Sequence, residues 1–327
     1  MKRIARTLAL TAALLAAVAM AERPAAAQEK WDLATAYPDG NFHTQNLRWY
    51  LEEVKKVAGN RLEVAVHSGA SLFKMPEIKR AVQTGQVAAG EFLLSAYGNE
   101  DAILEADGIP FLAAGYDAAW KLYQAQKPLI EKRFSGQGMR LLYSVAWPGQ
   151  GVYSKTPMTR LSDYKGIKFR AYNAATSRLA ELVGAQPVTI QQAEVPQAFA
   201  TGVVQAMITS SSTGADTKAW EYAKFYYDTA AMHPRNAVVV NERAFRRLPQ
   251  DIQTAMLDLA AKAETRGWEL SKKVTADTQK MLADNGMTVA PPPADLLAEF
   301  KKVGKQMVDE WVKKAGADGE ALAKAVQ

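Results

Sequence analysis

The chain has 327 residues, with 40 Lys and Arg against 34 Asp and Glu, a formal charge of +6, three histidines and no cysteine. Without cysteine there are no disulfides and no thiolate metal ligands, so stability must come from packing, and the scattered His43, His67 and His233 argue against a histidine metal site. The Lys and Arg residues form no dense cluster, which argues against nucleic acid as a partner.

The first expected element is an export signal. Lys2, Arg3 and Arg6 precede an uncharged run from Thr7 to Ala21, and Ala25-Ala26-Ala27 offers a small-residue cleavage site before Gln28. The run is short for a membrane span of roughly 20 residues. Loss of residues 1–27 takes away four basic residues and Glu22, which lowers the formal charge from +6 to +3. The expected product is a free periplasmic protein, because a lipid-tethered one needs cysteine at the cleavage point. A mature chain of this length can bury a large core and divide into two lobes.

Beyond the signal, residues 31–36 read as a strand, Pro38-Asp-Gly-Asn as a turn and 43–58 as a helix with Leu47, Tyr50, Leu51 and Val54 on one face. Strands are expected at 62–67, 87–94 and 140–146, and helices at 76–84, 116–126 and 129–133. In the second half, strands are expected at 167–171, 188–190, 203–208 and 237–240. Helices are expected at 173–183 and 193–201, then from Pro249 to Ala283, and, after the Pro291-Pro-Pro break, at 294–314. Alternation of helices and strands points to an α/β fold with mainly parallel sheets.

One pattern recurs. Glu77-x-x-x-Ala81-x-x-Thr84-Gly85-x-Val87 returns 117 residues later as Glu194-x-x-x-Ala198-x-x-Thr201-Gly202-x-Val204. Each copy reads as a helix, a glycine stop and an apolar strand. Two lobes of related topology would then present strand ends to a shared cleft, where open α/β sheets bind ligands.

The chain has no G-x-S-x-G, H-E-x-x-H or P-loop pattern. Ser210-Ser211-Ser212 could serve a secreted hydrolase only with a placed His and acid; a polar loop explains it as well. The stretch 163–176 says more. Strand alternation sets Ile167, Phe169 and Ala171 on one face and Lys168 and Arg170 on the other. Asn173 suits the cap of the next helix. A guanidinium at a strand end beside a helix N-terminus suits a carboxylate. A surface salt bridge would account for such an arginine too, and the residues alone leave both readings open.

Residues 30–312 resemble the periplasmic solute-binding proteins of tripartite ATP-independent (TRAP) transporters, the DctP-like family. The resemblance rests on Asp163-x-x-Gly-Ile-Lys-Phe-Arg170, Asn173-Ala-Ala-Thr, Gly184-Ala-Gln-Pro187, Glu194-x-x-x-Ala-x-x-Thr-Gly-Val-Val204 and Trp220-Glu-x-x-Lys224, in that order. It implies a two-lobed α/β periplasmic binding protein fold with a hinge and a long interdomain helix. The implied division is 28–148 with 235–275 for the first lobe and 149–234 with 276–327 for the second. It also implies that Arg170 binds a substrate carboxylate, that no cofactor is used, and that a monomer delivers its acid to membrane permease subunits without making or breaking a bond. A binding protein of an ATP-driven (ABC) importer is the near alternative.

The departures sharpen the expectation. Many members carry a second Arg where Gln150 stands, and Thr209 or Ser210 stands where an Asn commonly helps hold the ligand. One carboxylate clamp rather than two favours a monocarboxylate with hydroxyl or keto groups, or an aromatic acid, because a second desolvated carboxylate would need a charged partner. Tyr37, Phe42 and the strand end near Leu93–Tyr97 are expected on the first lobe's side. Trp147 would stack on the ligand or pack in the core, and Asn173 and Asn236 are further candidates for polar contact.

Overall fold

The structure, a computed structural model, describes residues 28–326; the export signal read at 1–27 lies outside that range. Its strands form two sheets, one per lobe. In the first, β1 (Glu29–Thr35), β2 (Leu62–His67), β3 (Ala89–Leu93), β4 (Met139–Ala146) and β10 (Arg235–Asn241) stand in the order β2-β1-β3-β10-β4. In the second, β5 (Gln150–Ser154), β6 (Lys168–Ala171), β7 (Gln186–Thr189), β8 (Ala206–Ser210), β9 (Phe225–Tyr227) and β11 (Thr288–Ala290) stand in the order β11-β9-β5-β8-β6-β7.

The repeated sequence pattern occupies equivalent places. In the first lobe, helix α2 (Met75–Thr84) ends at Gly85, in the left-handed region at φ 76°, and leads into β3. In the second, α5 (Val195–Ala200) is followed by Gly202 at φ 72° and β8. β1 lies parallel between β2 and β3, as β6 lies parallel between β7 and β8. The sheets are less parallel than expected, because β10 and β5 reach their sheets from hinge crossings and run antiparallel to β3 and β8.

The two crossings touch. Trp147 donates its backbone N–H to Pro234 O at 2.8 Å, and Gln150 donates to Met232 O at 3.1 Å. The crossings pack closely at Gly149, where a Cβ would lie 3.0 Å from Ala230 Cα and push the backbone apart by a few tenths of an ångström. Helix α1 (Phe42–Ala58) buries Leu47, Tyr50 and Val54 in the first lobe's core. After the short α7 (Glu242–Arg247) comes α8 (Gln250–Asp284), about 52 Å long at 1.5 Å per residue. α8 receives Asn46 on Ala263 O and Tyr50 on Met256 O from the first lobe, and reaches Ser211 and Asp228 of the second through Thr278 and Gln279.

Two helices run longer than the sequence suggested. α3 (Tyr116–Gly136) continues through Pro128, where a break was expected. Its buried face runs unbroken through Leu122, Gln126, Ile130 and Phe134, and packing outweighs the roughly 3 kcal/mol cost of an interior proline. α9 (Ala294–Ala325) extends past 314, with a break at Gly316. It lies against both lobes: Trp311 donates to Ala102 O and Lys314 meets Glu105 on one side, while Arg178 of the second lobe pairs with Glu310.

Candidate ligand-binding site

Between the lobes lies a cavity of about 160 Å³, smaller than the roughly 300–1,000 Å³ pockets that hold drug-sized molecules. Seven residues singled out from the sequence line it: Tyr37, Leu93, Trp147, Gln150, Arg170, Thr209 and Ser210. Three stand behind its wall instead. Phe42 packs edge-on against Trp147, with ring centroids 5.5 Å apart. Asn173 caps helix α4 (Ala174–Leu182) by accepting from Thr176 N at 2.9 Å, and donates to Ser95 Oγ of the first lobe at 3.0 Å. Asn236 lies under the aromatic wall and bonds Tyr37 and Trp147.

Arg170 sits on the central parallel strand β6, between Val188 of β7 and Met207 of β8. Phe169 and Ala171 enter the core, so the alternation turns Arg170 toward the cavity. It is 3 % exposed. Its Nε donates to Ile190 O at 2.8 Å, and its guanidinium lies 5.0 Å from the Tyr172 ring centroid. Among the described residues no carboxylate pairs with it and no acceptor engages its two terminal nitrogens. Burial lowers its pKa from 12.5 to about 10, so it stays charged at neutral pH. An unpaired buried charge is costly to keep. Of the other charged side chains at the cavity, Lys74 and Glu194 are exposed at the rim.

The neighbouring polar groups are partly committed. Gln150 donates to Pro148 O at 3.0 Å and accepts from Tyr172 at 3.2 Å. Ser210 ends β8 and caps α6 (Ser211–Asp216), accepting from Thr213 N at 3.0 Å. No side-chain bond engages Thr209 among the described residues, although its hydroxyl group is on a residue only 4 % exposed. Tyr172, Gln191 and Gln192 also line the cavity and were not singled out from the sequence. Tyr172 had a signal: it is the aromatic between the strand-end cation and the helix cap.

Hydrolase geometry does not form. Ser210 bonds Thr213, while His43 and His233 each leave Nε2 buried without a partner. Among the described residues no cluster of His, Asp and Glu could hold a metal ion, and no helix is long and apolar enough to cross a membrane.

Residues 33–315 match the family of bacterial extracellular solute-binding proteins, family 7 (DctP). The chain belongs to this family. It is a DctP-like solute-binding protein of the TRAP type, which sets aside the ATP-driven importer and places it in a family of transport rather than catalysis. Among solved structures, a Bordetella pertussis extracytoplasmic solute receptor, DctP6, binding pyroglutamic acid, is 52% identical over 91% of this chain and 99% of its own, with a TM-score of 0.89. A marine metagenome TRAP solute-binding protein specific for pyroglutamate is 40% identical over 91% of this chain and 98% of its own, also at 0.89. The C4-dicarboxylate-binding periplasmic protein DctP of Rhodobacter capsulatus is 26% identical over 84% of each chain. This receptor therefore shares the two-lobed fold of TRAP solute-binding proteins, and the family's ligands are small organic acids.

Proposed function

We propose that this receptor captures pyroglutamate, or a closely similar cyclic monocarboxylate, in the periplasm and delivers it as a monomer to TRAP permease subunits. The observation that carries this reading is Arg170: a buried cation that pairs with no carboxylate among the described residues, facing a small cavity. A ligand carboxylate would take the bidentate position on its terminal nitrogens. Gln150, already held by Pro148 and Tyr172, supplies no second cation, which favours one carboxylate over two. The pyroglutamate-binding relatives at 52% and 40% identity support the same class. Tyr37 and Trp147 would pack on the ring, and Thr209 and Ser210 would offer hydroxyls to its carbonyl.

The hinge at 147–150 and 230–234 would let the lobes, 28–148 with 235–275 and 149–234 with 276–327, close on the ligand. Asn173 to Ser95, and Asn41 to Asp216 at 2.6 Å, would tie the closed form. The test is a melting experiment with an acid panel. Pyroglutamate at 100 times its Kd should stabilise the protein by about 2.7 kcal/mol, a rise of roughly 5 °C. Succinate and malate should give no comparable rise; a larger shift with either dicarboxylate than with pyroglutamate overturns the reading.

A further inference from the structure

The aromatic wall carries a directional hydrogen-bond chain. Trp147 Nε1–H can only donate, so the Asn236 atom 2.9 Å from it must be the amide oxygen. That orientation turns the Asn236 NH2 toward Glu91, whose Oε1 accepts at 3.2 Å. Glu91 is itself buried and accepts from Thr35 Oγ1 at 2.7 Å. The Asn236 oxygen also lies 3.2 Å from Tyr37 Oη. An oxygen facing an oxygen needs one proton between them, and a neutral amide carbonyl has none to give. Tyr37 is therefore the donor. Burial raises its pKa well above the ordinary phenol value, so the proton stays in place.

A phenol has one proton. With it directed inward to Asn236, Tyr37 has only lone pairs left for the cavity that it lines. Arg170 lines the same cavity from the other lobe. A ligand held by its carboxylate at Arg170 would meet, on the first lobe, an acceptor rather than a donor.

We infer that Tyr37 Oη is the specificity-determining acceptor for a ligand N–H, and that Asn236 is the positioning residue that sets its polarity. The assignment rests on the pyroglutamate reading and deepens it, because the lactam N–H is the donor that such a site would select. A ring oxygen in that place would set acceptor against acceptor. Sites built to hydrogen-bond a ligand reject analogues lacking the group far more strongly than apolar pockets reject a missing methylene.

The experiment is calorimetric titration with pyroglutamate and with the γ-lactone carboxylate that replaces the ring N–H by oxygen. The wild type should prefer the lactam by about 30-fold or more. In Tyr37→Phe the pyroglutamate affinity should fall at least about tenfold and the lactone affinity far less, so the preference collapses. Asn236→Leu frees the Tyr37 proton to turn into the cavity and should also collapse the preference; a merely structural role would weaken both ligands together. The wild-type pair of titrations needs no variant to fold. Equal binding of the two rings by the wild type, or an unchanged preference in Tyr37→Phe, overturns the assignment while leaving the pyroglutamate reading standing. If the wild type binds neither ring, the pyroglutamate reading falls and this assignment falls with it.

Discussion

The second lobe's wall of the cleft carries a buried cation with unengaged donors, whereas the first lobe's wall carries aromatic rings whose polar atoms are both tied to Asn236 beneath them. Arg170 spends one of its nitrogens on Ile190 and leaves two terminal ones unpartnered among the described residues. Tyr37 and Trp147, with ring centroids 4.9 Å apart, both donate to the Asn236 oxygen. The two sheets share a topology, yet their cleft-facing residues differ in kind. One wall is built to hold charge and the other to set ring shape and hydrogen-bond polarity, so substitutions on the two should fail in different ways.

The largest effect belongs to the charge. Arg170→Ala should weaken pyroglutamate binding by at least about 100-fold, as calorimetry would read it, while the ligand-free melting temperature holds or rises because a desolvated charge is gone. Arg170→Lys keeps the charge but loses the planar fork and should recover only part of the loss. Next comes an attempt to move charge across the cavity. Gln150→Arg places a second cation beside the first, so pyroglutamate affinity should fall about tenfold and succinate binding should become measurable; no gain for succinate would show that more than a missing cation excludes dicarboxylates.

A smaller effect is expected where the walls join. Asn173→Ala removes both the cap of α4 and the bond to Ser95, and should cost about 1 kcal/mol from the cap alone. Ser95→Ala removes only the bond between lobes. It should leave the ligand-free melting temperature nearly unchanged and weaken binding about threefold. A clear loss of melting temperature in Ser95→Ala without ligand would mean that the lobes are tied even before ligand binds.

The smallest effect is a pH dependence. Burial raises Asp216 from 3.8 to about 6, against the opposing hydrogen bonds of Asn41 and Gln192. A folded carboxyl with a raised pKa binds more protons than its exposed form between those two values. The closed arrangement therefore weakens as pH rises from about 4 to about 6 and stays weakened above. Ligand affinity should fall severalfold from pH 5 to pH 7.5 in the wild type, and Asp216→Asn should flatten that slope. Affinity that rises with pH over this range contradicts the assignment of Asp216 to the closed form.

Much of the fold was legible because its signals are local. The helix at 43–58, the glycine stops at 85 and 202 and the helix starting after Pro249 all follow from periodicity and caps. The short strands β5, β9 and β11 were not read, because three to five residues offer too little alternation. β8 ends at Ser210 rather than 208, which brings Thr209 and Ser210 onto the strand end at the cavity. Arg170 could be singled out from its strand position and the Asn173 cap. The organisation of the aromatic wall could not: Asn236 meets Glu91, Trp147 and Tyr37 from 145, 89 and 199 residues away. Such pairings are set by how β3 and β10 lie side by side, and no window of sequence contains them.

The central claim is that Arg170, buried and without a carboxylate partner among the described residues, reads a single carboxylate. Titrating the wild-type protein with pyroglutamate and with its carboxamide, which keeps the ring and removes the charge, tests that claim without altering the protein. Arg170 as the clamp predicts a loss of at least about 100-fold for the amide. Affinities within threefold of each other would contradict it.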